Sequence, residues 1–127
     1  MAHRPLSPHV FIYRFAYTMA MSILHRATGV VLSCGLLLLV VWLAAMAAGP
    51  DSYAAFANFA LGWPARTLFG LLIVVFLFHF ANGIRHLLWD AGIGLEKGQA
   101  RFSWKIVMAV VLVGSALLFY FLLGRTA

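Results

Sequence analysis

From Ala27 to Pro50 the chain runs for 24 residues without one charged side chain. A helix of that length rises ~36 Å, more than the ~30 Å hydrocarbon layer of a bilayer. Two further uncharged runs follow, 18 residues from Thr67 to Ile84 and 19 from Ile106 to Gly124. Each falls within the ~17–25 residues that a membrane-crossing helix needs. In lipid every backbone N–H and C=O must bond within its own segment, so each run is constrained to be a helix. With their polar ends included, the predicted spans cover residues 21–48, 66–89 and 104–124. The predicted fold class is an all-α membrane protein, a single anchor domain over residues 1–127.

Composition closes off the soluble alternative. Only 9% of residues are charged and the mean hydropathy is +1.00, where a globular domain carries roughly 25% charge. The net charge of +6 would suit nucleic acid if it lay on one amphipathic face. Instead the basic residues sit at the ends of the apolar runs, where membrane proteins carry their topology signals. With the N-terminus inside, Arg4, Arg14, Arg26, Arg85, Lys97, Arg101 and Lys105 fall on the inner side, and only Arg66 and Arg125 outside. That bias predicts a multi-pass protein of a bacterial or mitochondrial inner membrane, with its N-terminus on the cytoplasmic or matrix side. No nucleic acid partner is expected.

The connecting segments are short. Residues 1–20, marked by Pro5 and Pro8, are too polar to span and read as an interfacial N-terminal segment. They lack the charged-then-apolar order of a cleavable signal peptide, so none is expected. The outer loop, Gly49 to Pro64, predicts a short helix capped by Asp51 or Ser52, with Tyr53, Phe56 and Phe59 at the interface. The inner loop, Ala91 to Ser103, reads as a glycine-rich turn. The lone cysteine, Cys34, excludes an intrachain disulfide and is expected to pack as a small hydrophobe. Trp42, Trp63, Trp89 and Trp104 are candidates for aromatic belts at the span ends.

The chemistry concentrates where polar side chains enter the spans. His79 lies in the second span, six residues (~9 Å of helix) before Arg85. An imidazole at that depth must find a partner or cost several kcal/mol. Its position leaves three roles open: axial ligand to a b-type haem, a hydrogen bond to a neighbouring helix, or a proton relay. His86, seven residues on, shares the face of His79 but sits ~10 Å along the same helix, so the two cannot bind one iron. Gly83, one turn past His79, leaves a shallow notch on that side. In the first span, Ser22, His25 and Arg26 are spaced to converge on one patch. A hydroxyl with a guanidinium suits a carbonyl or phenol-like oxygen, or a carboxylate, although Arg26 alone would serve as a snorkelling anchor. Thr28, Gly29 and Ser33 follow, small enough for close helix contact. Arg85 and Asp90 either pair or both face water. Three helices cannot shelter all these groups from lipid, so a second subunit is expected. No catalytic triad, phosphate loop or C-x-x-C pair occurs, and no residue is predicted to catalyse bond breaking.

Three motifs recur together in order: R-P-L-S-P-H (Arg4 to His9), S-I-L-H-R-A-T-G-V (Ser22 to Val30) and H-F-A-N-G-I-R-H-L-L-W-D (His79 to Asp90). In this the chain resembles, over essentially its whole length, the cytochrome b subunits of succinate dehydrogenase, membrane anchors of respiratory complex II. The resemblance implies one haem b shared with a second small anchor subunit, whose chain gives the other axial ligand. It implies His79 as an axial ligand to the haem iron, with His25, Arg26 and His86 near the haem propionates. Ser22 and Arg26 would line the quinone site. It further implies an iron–sulfur subunit and a flavoprotein subunit as partners, succinate being oxidised at the flavin and ubiquinone or menaquinone reduced at the membrane. The chain would be a subunit of the enzyme and not catalytic alone. The alternatives are a menaquinone-type fumarate reductase anchor, or a haem-free structural assembly subunit.

Overall fold

The computed structural model describes residues 17–124, with side chains to residue 121. The Arg4–His9 motif and most of the interfacial N-terminal segment therefore lie outside the described residues. Four helices follow in order: α1 (Tyr17–Ala47), α2 (Pro50–Leu61), α3 (Trp63–Asp90) and α4 (Lys97–Gly124). α1, α3 and α4 are each long and apolar enough to cross a membrane. At 31 residues α1 would extend ~46 Å, so its ends must reach beyond the hydrocarbon or the helix must tilt.

α3 is the central element, with α1 against one side and α4 against the other. Both neighbours run antiparallel to it. Gly35 meets Leu72 as Gly29 meets His79, and Gly114 meets Leu77 as Gly70 meets Phe119. Glycines set these approaches, because a Cβ on Gly70 would lie 3.0 Å from Phe119. Met21 of α1, with Val107 and Val111 of α4, forms a small core against Val74, Leu77, Phe78, Ala81 and Trp104. Elsewhere the helices turn apolar side chains outward: Leu37 is 65% exposed and Leu112 67%. In water such a surface would aggregate; it is suited to lipid and to partner helices.

The joints differ from the sequence reading in instructive ways. α2 forms as expected, but neither Asp51 nor Ser52 caps it. Gly49 takes the N-cap position with φ 109° and ψ −178°, and Pro50 opens the helix, a φ/ψ pair open essentially to glycine alone. Gly62 then closes α2 and begins α3 with almost no linker. At the inner end, α3 stops in a Schellman motif, Gly92 N–H bonding Trp89 O at 2.9 Å and Ile93 N–H bonding Leu88 O at 2.8 Å. Positive φ values at Gly92 and Gly94 turn the chain. The turn ends sooner than the composition suggested, since α4 begins at Lys97, and 97–103 are helical. The Ala100 N–H bond to Glu96 O, 2.8 Å, starts that helix. Cys34 is exposed on α1, not packed. Trp89 and Trp104 are half-buried among protein contacts, leaving the more exposed Trp42 and Trp63 as the belt candidates.

Candidate functional site

The N-terminal part of α1 and the C-terminal part of α3 bring three histidines together. His25 of α1 lies face to face with His79 of α3, ring centroids 4.0 Å apart and planes 12° from parallel. On its other side His25 approaches His86, at 5.1 Å and 36°. The seven-residue interval between His79 and His86 is thus occupied by a ring from the facing helix. Gly83 borders His25, whose Cε1 would lie 3.7 Å from an added Cβ, an ordinary contact. The tight approach is at Gly29, where a Cβ would stand 3.1 Å from His79 Cε1. The notch beside His79 is therefore made by α1, which the pattern of α3 could not reveal.

His79 has a defined tautomer. Its Nδ1 lies 3.1 Å from the His25 carbonyl oxygen and 3.1 Å from Thr28 Oγ1. A carbonyl only accepts, so Nδ1 carries the proton and donates. The Thr28 hydroxyl is directed at the Leu24 and His25 carbonyls, 2.8 Å each, and so presents a lone pair to Nδ1. In the neutral ring Nε2 then carries the lone pair, the form in which imidazole binds a metal. One to two turns outward, α1 and α3 enclose an apolar groove of about 550 Å³ lined by Leu32, Gly35, Leu36, Phe69, Ile73 and Phe76. The stacked rings present faces to one another and cannot converge on one ion. Among the described residues no group of three or more His, Cys, Asp or Glu is arranged to hold a metal ion.

The other predicted residues divide. Ser22 is half-buried and Arg26 is exposed beside it, with no hydrogen bond joining them. His25 turns instead into α3, its Nδ1 buried and without a hydrogen-bond partner among the described residues. Arg85 neither pairs with Asp90 nor faces water. It is 3% exposed, donating from Nε to Ser103 Oγ at 2.8 Å and from Nη2 to Ala100 O at 3.2 Å. Its guanidinium also lies 3.9 Å above the Trp89 ring. Asn82 beside it is fully buried, with Oδ1 3.4 Å from Arg85 Nη1. Trp89 donates to Gly94 O at 3.0 Å, tying the inner turn to the same cluster. Thr28, Gly29 and Ser103 act across helix pairs, which local spacing does not show, and Asn82 meets Arg85 within α3, in a buried setting that only the packing of α4 creates. The one sequence signal was the small-residue run after Arg26.

Residues 1–118 match the family of succinate dehydrogenase/fumarate reductase transmembrane subunits. The chain belongs to this family. Among curated members it is 37% identical to the human mitochondrial succinate dehydrogenase cytochrome b560 subunit, over 90% of this chain and 69% of that one. It is 36% identical to the Paracoccus denitrificans succinate dehydrogenase cytochrome b556 subunit, over 94% and 93%. The Rickettsia felis cytochrome b556 subunit is 34% identical, over 87% and 86%. The family resemblance drawn from three motifs thus holds over residues 1–118. These relatives carry the succinate dehydrogenase name, which favours that branch over a fumarate reductase.

Proposed function

We propose that the chain is the cytochrome b membrane anchor of a succinate:quinone oxidoreductase and that His79 Nε2 is one axial ligand to a b-type haem. The observation that carries this is the His79 hydrogen bonding, in which Nδ1–H is held by the opposite helix and Nε2 is bare. That donor suits a haem iron, and an open groove lined by apolar side chains of α1 and α3 begins one turn away at Phe76, a lining suited to a porphyrin. A second anchor chain supplies the other ligand, since His86 is separated from His79 by His25. Bound there, the haem would supply one-electron storage beside the quinone.

The chain's own share is orientation and electrostatics. His25 and His86 lie at the inner end of the stack, where the buried His25 Nδ1 suits a propionate carboxylate or a proton in transit. Arg26, exposed one residue further, offers a charge to a propionate or to a quinone oxygen, and Ser22 a hydroxyl to that same quinone. Succinate oxidation belongs to a flavoprotein partner, and an iron–sulfur partner delivers its electrons to the quinone. The charge bias of the flanks sets the N-terminus on the cytoplasmic or matrix side.

Two variants test this reading in the purified complex. His79→Ala should abolish the reduced-minus-oxidised b-type spectrum; a full spectrum would show that His79 only clamps α3 to α1. Ser22→Ala and Arg26→Leu should depress quinone reduction while succinate still reduces a soluble dye. Equal loss of both activities would place these residues in assembly instead.

A further inference from the structure

The contacts around His79 reach beyond the ligand itself. Among the described residues, the hydrogen-bond partners of its Nδ1 come from one turn of α1, the His25 carbonyl and the Thr28 hydroxyl. A carbonyl exists at every residue, but the hydroxyl is a choice of side chain. Thr28 bonds back to Leu24 O and His25 O at 2.8 Å each, which fixes its χ1 within the helix. With its proton so committed, Oγ1 can only accept from His79. The next residue sets the distance: at Gly29 even a methyl would come within 3.1 Å of His79 Cε1, so the ring is pressed against the α1 backbone.

We infer that Thr28, seated beside Gly29, is a positioning residue that sets the orientation and the electron-donating strength of the His79 imidazole. The inference rests on His79 being the haem ligand. A hydrogen bond from Nδ1–H to an acceptor makes the opposite nitrogen more basic and stabilises the ferric over the ferrous state. The hydroxyl and the carbonyl share one N–H in a three-centre bond. Removing the hydroxyl leaves the ring held by the carbonyl alone, with weaker donation to the iron.

The test compares Thr28→Val, which keeps the branched shape without an acceptor, with Thr28→Ser, which keeps the hydroxyl. Both are made in the whole complex alongside His79→Ala. Haem per complex, the haem midpoint potential and the low-spin electron paramagnetic resonance spectrum are measured. Thr28→Val should raise the potential and alter the low-spin g-values, and Thr28→Ser should follow the wild type in both. Haem loss in Thr28→Val with retention in Thr28→Ser supports the same role in a stronger form. The proposal is overturned if Thr28→Val is loaded and indistinguishable from wild type, or if the two Thr28 variants shift or lose haem equally. A full b-type spectrum in His79→Ala would refute the ligand assignment and with it the role of Thr28, whereas an unchanged Thr28→Val beside a haem-free His79→Ala refutes only the role of Thr28.

Discussion

Replacing Arg85 by lysine keeps the charge yet should open the inner end of the α3–α4 pair more than replacing it by methionine. The guanidinium bonds two oxygens of α4, Ser103 Oγ at 2.8 Å and Ala100 O at 3.2 Å, while it lies 3.9 Å above the Trp89 ring and reaches Asn82 Oδ1 of its own helix at 3.4 Å. A lysine ammonium can reach one of the two oxygens but lacks the planar fork that spans both and stacks on an indole. Losing one hydrogen bond from a charged donor costs about 1.5–3 kcal/mol, and losing the stacked cation about 0.5–1 kcal/mol more. Arg85→Lys therefore costs ~2–4 kcal/mol while still burying a charge. In Arg85→Met the bonds vanish together with the burial of the charge, which costs several kcal/mol per ion. Ser103 and Ala100 are not orphaned, because Ser103 Oγ already donates to Ala100 O at 3.2 Å, and only Asn82 Oδ1, the longest of the contacts at 3.4 Å, loses its partner. Hydrogen exchange of amides 97–104 in the detergent-solubilised complex reads the difference. At one decade per ~1.4 kcal/mol, Arg85→Lys should exchange about 30- to 1,000-fold faster than wild type, and Arg85→Met less than ~30-fold faster. If lysine matches wild type, or methionine exchanges faster than lysine, charge and not fork geometry holds this junction.

Other positions give sharper local readings. Gly70→Ala places a methyl 3.0 Å from Phe119 Cε1, and such overpacking costs roughly 1–3 kcal/mol; a lower melting temperature of the complex is expected, and no change would mean that the ring swings outward. Gly49→Ala meets nothing within 4 Å, so its cost of ~1–3 kcal/mol is purely the backbone's and should appear as faster exchange at the Tyr53 amide, which bonds Gly49 O at 3.0 Å. Gly29→Ala should lower haem occupancy by displacing His79 from Thr28, measured as haem per complex, and full occupancy would show that α1 yields without moving the ring.

The three spans and the family were legible in the sequence for one reason. Hydrocarbon leaves a charge-free run of this length no structure but a helix, so length and composition suffice. His79 stood out on similar grounds, because an ionisable group inside such a run requires a partner wherever it points. The boundaries drifted where local chemistry was ambiguous. The inner loop looked polar enough to be irregular, yet Gln99, Ala100 and Arg101 are good helix formers, and α4 starts at Lys97. Asp51 and Ser52 looked like caps until Gly49 and Pro50 took that place.

What the sequence by itself determined is therefore the solvent, the number of long helices and the residues that need explaining. Tertiary structure decided who answers them. Periodicity places His79 and His86 on one side of α3 but cannot tell that His25 enters between them, because that depends on the register of α1. Nor could it show that Arg85 turns away from Asp90 to the first turns of α4, or that the His25 carbonyl accepts from His79 Nδ1. These are contacts between residues 18 to 54 positions apart. Their geometry is set by helix packing through glycines, where an added methyl at 3.1 Å separates a fit from a clash.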